Sequence, residues 1–168
     1  GVARHNANGT GGTTIIAGPS PAGGTWRALA YDPTGDGGNG SLWAASFASD
    51  LIEVDLSGTV LNTFANDGWS LYGLAYDDAT GDLFGHDSAG DVIKISTTTG
   101  LNLGLQWTSG FPNGASQGGL SGYSQLAGNL AALSQGTPDE MGNYDSAGSL
   151  TFGPLDVEAQ SGTNGHLG

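Results

Sequence analysis

The chain of 168 residues contains no cysteine. That excludes a disulfide scaffold, thiolate zinc sites and cysteine nucleophiles, without assigning a compartment. Cations are almost as scarce: Lys and Arg total 3 against 16 Asp and Glu, a formal net charge of −13. Phosphate backbones and anionic membrane surfaces need a basic footprint, so no nucleic-acid partner is expected. Long apolar runs are missing too, and the longest are far below the roughly 20 residues of a membrane-spanning helix, so no membrane insertion is expected. No i, i+3, i+4, i+7 pattern with a cap competes for a helix. The first residue is Gly, not Met, and no signal-type apolar stretch is present, so the chain reads as a processed product or a piece of a longer one.

What is abundant is glycine, 32 residues, placed at turns between short apolar runs and without a triplet period, so collagen is excluded. Four Trp, five Tyr and five Phe fall inside alternating segments, which argues against disorder. The acidity suits the solubility of a Gly-rich β protein; bound Ca²⁺ or a salty habitat are the sharper readings.

The alternating segments repeat. Residues 71–100, LYGLAYDDATGDLFGHDSAGDVIKISTTTG, read as three short strands joined by tight turns. The first-strand leucines Leu29, Leu74 and Leu120 are spaced 45 and 46 apart, and ALAYDP at 28–33 nearly repeats as GLAYDD at 73–78. Third strands align on residues 52–55, 93–96 and 142–145. A period of about 45 residues with four strands per unit predicts an all-β, β-propeller-like array of four-stranded antiparallel blades. The units run over 26–68, 69–110 and, degenerately, 119–156. Residues 1–25 form a partial blade and linker, with GVARHN in the register of GLAYDD; the tail 157–168 is a candidate to complete it. One such sheet is marginal alone, so stacking is expected to bury Leu29, Trp43 and Val54, their counterparts Leu74, Phe84 and Ile95, and Leu120.

At AYDPTGDGGNGSLW and YDDATGDLFGHDSAGDVIKI the chain resembles secreted bacterial β-propeller repeats. The resemblance spans about residues 26–156, and its matched positions are turn Asp and Gly, core Leu and aromatics. It implies an extracellular or cell-surface setting and architecture, but no catalytic residue.

Candidate chemistry is thin. Asp32, Asp36 and Asn39 in DPTGDGGNG offer oxygen ligands in a Gly-rich loop, a calcium candidate set against an ordinary Asp/Asn/Gly turn. Asp77, Asp78, Asp82, Asp87 and Asp91 pose the same choice. His86 beside Asp87 reads as a strand-end turn residue, because strand neighbours point to opposite faces. Glu53, Glu140 and Glu158 are the remaining carboxylates considered for a glycosidase pair, with Glu53 expected on a solvated face. Trp26, Trp69 and Trp107 are placed in the core or in grooves between blades. Asn8-Gly9-Thr10 and Asn39-Gly40-Ser41 fit the glycan acceptor pattern, so Asn8 and Asn39 are candidate glycosylation sites.

Fewer than four complete units leave open strand edges and an uncovered apolar face. The expected function is therefore a non-enzymatic structural module that self-associates into a larger surface or fibrous assembly. The alternative is a carbohydrate- or ligand-binding propeller domain from a larger secreted protein.

Overall fold

The fold is taken from a computed structural model, which describes residues 2–16, 26–108, 120–123, 129–134, 140–145, 147–157 and 159. Sequence expectations for Glu158, His166, the side chain of Leu120 and the C-terminal tail fall outside these residues, save Val157 and Ala159 of the tail.

Three four-stranded antiparallel sheets and one two-stranded sheet follow one another along the chain. The small sheet is the hairpin of β1 (Val2–Arg4) and β2 (Thr13–Ile16). Blade 1 holds β3 (Ala28–Asp32), β4 (Ser41–Ala45), β5 (Leu51–Asp55) and β6 (Val60–Phe64). Blade 2 holds β7 (Leu71–Asp77), β8 (Asp82–Asp87), β9 (Asp91–Ile95) and β10 (Asn102–Thr108). Blade 3 holds β11 (Leu120–Tyr123), β12 (Asn129–Ser134), β13 (Glu140–Tyr144) and β14 (Leu150–Asp156). Each blade is a meander in which strands pair in chain order. The first strands sit together: β7 packs against β3 on one side and β11 on the other. The protein is thus an all-β, propeller-like array of four-stranded antiparallel blades.

The pairing confirms how the repeats align. Leu29 stands opposite Ala44, and Ala44 opposite Ile52. Leu74, Gly85 and Ile93 form the same ladder in blade 2, and Leu120, Ala132 and Gly142 in blade 3. Directly opposed residues share a face, so each blade has a rear face toward the preceding sheet and a front face toward the next.

Stacking follows from these faces. The front of blade 1 (Ala28, Ala30, Trp43) meets the rear of blade 2 (Leu74, Leu83, Ile93, Ile95) in one buried cluster. The front of blade 2 (Ala75, Phe84, Val92, Trp107) meets the rear of blade 3 (Leu130, Ala132, Tyr144) in another, with Trp107 and Tyr144 stacked at 4.5 Å. The inner three strands of the middle blade are covered on both faces, so they read as largely apolar on both sides. The outer-strand aromatics of blades 1 and 2 each lie over a glycine turn of the next blade. A Cβ on Gly100 would collide with Cβ and Cγ of Phe64, and one on Gly148 with Cβ and Cγ of Trp107; both glycines have positive φ, +69° and +80°.

Trp43, Phe84, Val54, Leu74 and Ile95 are buried. Leu29 is not: 42 % of its surface is exposed, against 1 % for its counterpart Leu74. The side chain points to the rear face as the repeat requires, but the sheet in front of it has two strands instead of four. Val2 and Trp26 reach Leu42, Ala44, Ile52 and Val54, and the rest of the face is left open.

Candidate functional site at the ends of the blade stack

The acidic turns are built for the backbone. Asp55, Asp87 and Asp145 each open a tight turn and accept N–H groups two and four residues on, at 2.7–3.0 Å: Ser57 and Thr59, Ala89 and Asp91, Ala147 and Ser149. These are Asx-turns, the local structure that Asp makes with its own backbone. The Ser57 hydroxyl, at 2.7 Å, and the Thr59 N–H hold the Asp55 carboxyl down to about 2.

The loop of the calcium candidate is built in the same way. Asp32 is buried, and its Oδ1 accepts the Thr34 N–H and hydroxyl at 2.8 Å and the Gly35 N–H at 3.0 Å. Asp36 lies beyond in a single helical turn, Gly35–Gly38, in left-handed backbone (φ 48°). Asn39 directs its amide nitrogen to the Asp36 carbonyl at 2.8 Å and carboxylate at 3.3 Å. Its side chain therefore presents a donor where a cation needs an oxygen. Asp32, Asp36 and Asn39 all make hydrogen bonds within the loop. Among the described residues, no group of three or more His, Cys, Asp or Glu is placed to hold a metal.

Glu53 departs from the solvated position expected for it. It is 6 % exposed and lies on the front face beside Trp43, because that face is covered by blade 2. Its carboxylate accepts the Ser41 hydroxyl and the Asn62 amide, both at 2.6 Å. Nearby, the Thr34 and Tyr76 hydroxyls meet at 3.1 Å, a polar tie between blades 1 and 2. Burial raises the Tyr76 hydroxyl above its ordinary value. The blade 2 counterpart of the Ser41–Glu53 pair is Asp82–Lys94, an ion pair at 2.6 Å.

His86 also sits differently from its expected turn: it is wholly buried within β8, opposite Gly73 and Val92. Glu140 is buried at the start of β13, opposite Ser134 and Asp156. Burial, and after it the Glu140 charge, pushes the Tyr144 hydroxyl up to about 12. Trp69 and Trp107 are buried between blades. Of the two glycan acceptor patterns, Asn8 is exposed on the β1–β2 loop and bonds Thr10 at 2.7 Å through its side chain. Asn39 is exposed as well, but Ser41 of its pattern is buried and engaged by Glu53.

Large apolar side chains are exposed along the outer strand of blade 2, at Leu103 and Leu105, and at the ends of the stack. On the rear face of blade 1, Tyr31 is 53 % exposed beside Leu29, whereas its counterpart Tyr76 packs against the blade 1–2 core. Between this face and the hairpin is a cleft of about 630 Å³, lined by Val2, Thr13, Thr14, Leu29, Tyr31 and Leu56 among others. At the other end, Ala131, Asn143 and Phe152 share the front face of blade 3, and so do Leu133, Met141 and Leu155. Phe152 is 55 % exposed. Sequence reasoning located open faces but not these residues. For Leu29 and Tyr31 the available signal was the repeat itself, since they stand where a four-stranded neighbour would cover them.

No protein-family model matches the sequence, and no match to the curated proteins reaches significance. Solved structures do match. A chain of the nidogen/laminin complex aligns with 78 % of this chain over 50 % of its own, at 14 % identity and a TM-score of 0.58. Quinohemoprotein alcohol dehydrogenase from Comamonas testosteroni aligns with 68 % of this chain over 19 % of its own, at 16 % identity and a TM-score of 0.46. BamB from Moraxella catarrhalis aligns with 76 % over 36 % of its own, at 12 % identity and a TM-score of 0.42. The chain therefore spans about half the length of the first and less of the others. The likeness to the first is one of fold, a β-propeller architecture.

Proposed function

We propose that this chain is a non-enzymatic structural module of an extracellular or cell-surface assembly, and that it self-associates through the end faces of its blade stack. One observation carries the reading. The residues that line the rear of blade 2 are buried by a preceding blade, and their register counterparts Leu29 and Tyr31 on blade 1 are exposed. Leu29, Tyr31 and Leu56 form an exposed apolar patch beside the buried Leu42, Ala44, Ile52 and Val54, and an apolar patch rimmed by polar groups supports an association role. The turn carboxylates are committed to backbone N–H groups, which supports a structural role for them over a catalytic one. Light scattering across a dilution series tests the reading. The mean mass rises above 16.7 kDa with concentration; a folded monomer at every concentration refutes it.

A second reading is favoured by the cleft itself. Its volume of about 630 Å³ lies within the range of small-molecule sites, and Thr13, Thr14, Ser57 and Tyr31 put hydroxyls on a lining that carries no charged side chain. That lining suits a neutral carbohydrate. Binding of a monodisperse sample to a glycan array supports this second reading, and a blank array removes it.

A further inference from the structure

We infer that Asn8, in the loop of the β1–β2 hairpin, is an N-glycan attachment site, and that Asn39, in the same Asn-Gly-Ser/Thr pattern, is closed to glycan transfer once the chain is folded. The donor is an oligosaccharide esterified to a lipid diphosphate. Nδ2 of Asn8 forms the new bond to the anomeric carbon as the bond from that carbon to the phosphate oxygen breaks. The lipid diphosphate leaves, and one Nδ2 proton passes to a base of the transferase.

Asn8, Gly9 and Thr10 are all exposed in the loop that joins β1 to β2. The loop is closed by its own backbone: the Gly9 N–H donates to the Asn6 carbonyl at 2.8 Å, and the Asn6 N–H to the Thr10 carbonyl at 2.9 Å. The Thr10 N–H, at 3.1 Å, and the Thr10 hydroxyl, at 2.7 Å, both donate to the Asn8 side chain. A backbone N–H can only donate, so the amide is turned with Oδ1 toward Thr10. Nδ2 is on the other side of the amide, with no acceptor among the described residues. The hydroxyl that the acceptor pattern requires is thus held against the amide it serves. Gly9 stands at φ +77° with nothing within 4 Å of where a Cβ would be, which leaves room over the loop for a transferase.

Asn39-Gly40-Ser41 has nearly the same letters and the opposite surroundings. The Asn39 amide nitrogen is already donated to the Asp36 carbonyl at 2.8 Å and carboxylate at 3.3 Å. Tyr31 covers Gly40, its hydroxyl 2.6 Å from where a Cβ would sit. Ser41 is wholly buried at the start of β4, and its hydroxyl donates to Glu53 at 2.6 Å. Transfer to Asn39 therefore requires the loop and the end of β4 to open, and only the opened fraction reacts. A hydrogen bond to a buried carboxylate is strong enough to make Asn8 react about 10-fold faster or more in the folded chain. None of residues 5–12 lines the cleft beside Leu29 and Tyr31, so glycan transfer and self-association are read separately.

The test incubates the folded full chain with solubilised oligosaccharyltransferase and synthetic diacetylchitobiose on a polyprenyl diphosphate, and reads the product by intact mass and peptide mapping. Synthetic peptides of residues 5–13 and 36–44 are run alongside. Both peptides are expected to accept the sugar, whereas the folded chain gains a single disaccharide, on Asn8. No transfer to Asn8, or equal transfer to Asn8 and Asn39 in the folded chain, overturns the proposal, and so does a 5–13 peptide that takes no sugar. A 36–44 peptide that takes none overturns folding as the reason Asn39 is closed. Asn8→Gln and Thr10→Val are expected to abolish the addition and Thr10→Ser to keep it, all at exposed positions where the thermal melt stays that of the parent. Addition that survives Thr10→Val overturns the role given to the hydroxyl.

Discussion

Two leucines at the same repeat position differ in what covers them, and this difference is measurable as stability. Leu74 is 1 % exposed and sits among Trp43, Leu71, Leu83, Ile93 and Ile95. Removing its three outer carbons leaves a void that packed strands on both sides cannot collapse. Leu74→Ala is therefore expected to cost about 2–5 kcal/mol, the range for buried leucines. For a chain of this size that lowers Tm by roughly 4–20 °C. Leu29 occupies the corresponding site on blade 1 but is 42 % exposed over an open cleft. Leu29→Ala is expected to cost about 1 kcal/mol or less, because water already reaches the side chain. The assay is urea unfolding followed by tryptophan fluorescence, at a concentration where the chain is monomeric. Equal losses for the two variants would refute the reasoning, since they would mean that the hairpin covers blade 1 as well as blade 1 covers blade 2.

Three further outcomes follow from the same geometry. Glu53→Ala strands the buried Ser41 hydroxyl and the Asn62 amide without their acceptor, and is expected to cost about 1–3 kcal/mol; a solvated Glu53 would give no loss in the same urea assay. Asp55, lowered from 3.8 to about 2, supports its hairpin fully above pH 3.8, and the support is lost as the pH falls through about 2. Carboxyl NMR titration reads this directly, and a midpoint near 4 would contradict the Ser57 and Thr59 bonds. Gly100→Ala forces a Cβ into Phe64 at positive φ and is expected to destabilise by about 1–3 kcal/mol. Gly104→Ala, also at positive φ but with open space around it, is expected to cost less; the reverse order in thermal melts would count against the contact between blades.

The repeat was legible because its signal is periodic. The spacing of Leu29, Leu74 and Leu120 and the third-strand alignment at 52, 93 and 142 mark equivalent positions, and the strands pair in equivalent registers, Leu29–Ala44–Ile52, Leu74–Gly85–Ile93 and Leu120–Ala132–Gly142. Exposure was not legible, because it depends on the neighbouring sheet. Alternation marks Glu53 as facing away from Ile52 and Val54, but in a stack that second face is covered too, and Glu53 finds Ser41 and Asn62 at 12 and 9 residues' separation. The Asp and Gly of DPTGDGGNG announce a turn and a cation loop in the same letters. The Thr34 and Gly35 N–H groups around Asp32 give the turn its hydrogen bonds. His86 reads as a turn residue beside Asp87, and the strand simply runs one residue further than it, to Asp87.

The proposed self-association through the end faces brings the rear of blade 1 in one copy to the front of blade 3 in another. The absence of native cysteine makes this directly testable. Leu29→Cys and Phe152→Cys are prepared separately, mixed, and treated with a short bis-maleimide, and the products are weighed by intact mass spectrometry. The account predicts a cross-linked species joining one Leu29→Cys copy to one Phe152→Cys copy, with little product from either variant alone. Cross-linking within a single variant, or none in the mixture under conditions where the parent chain is paired, would contradict it.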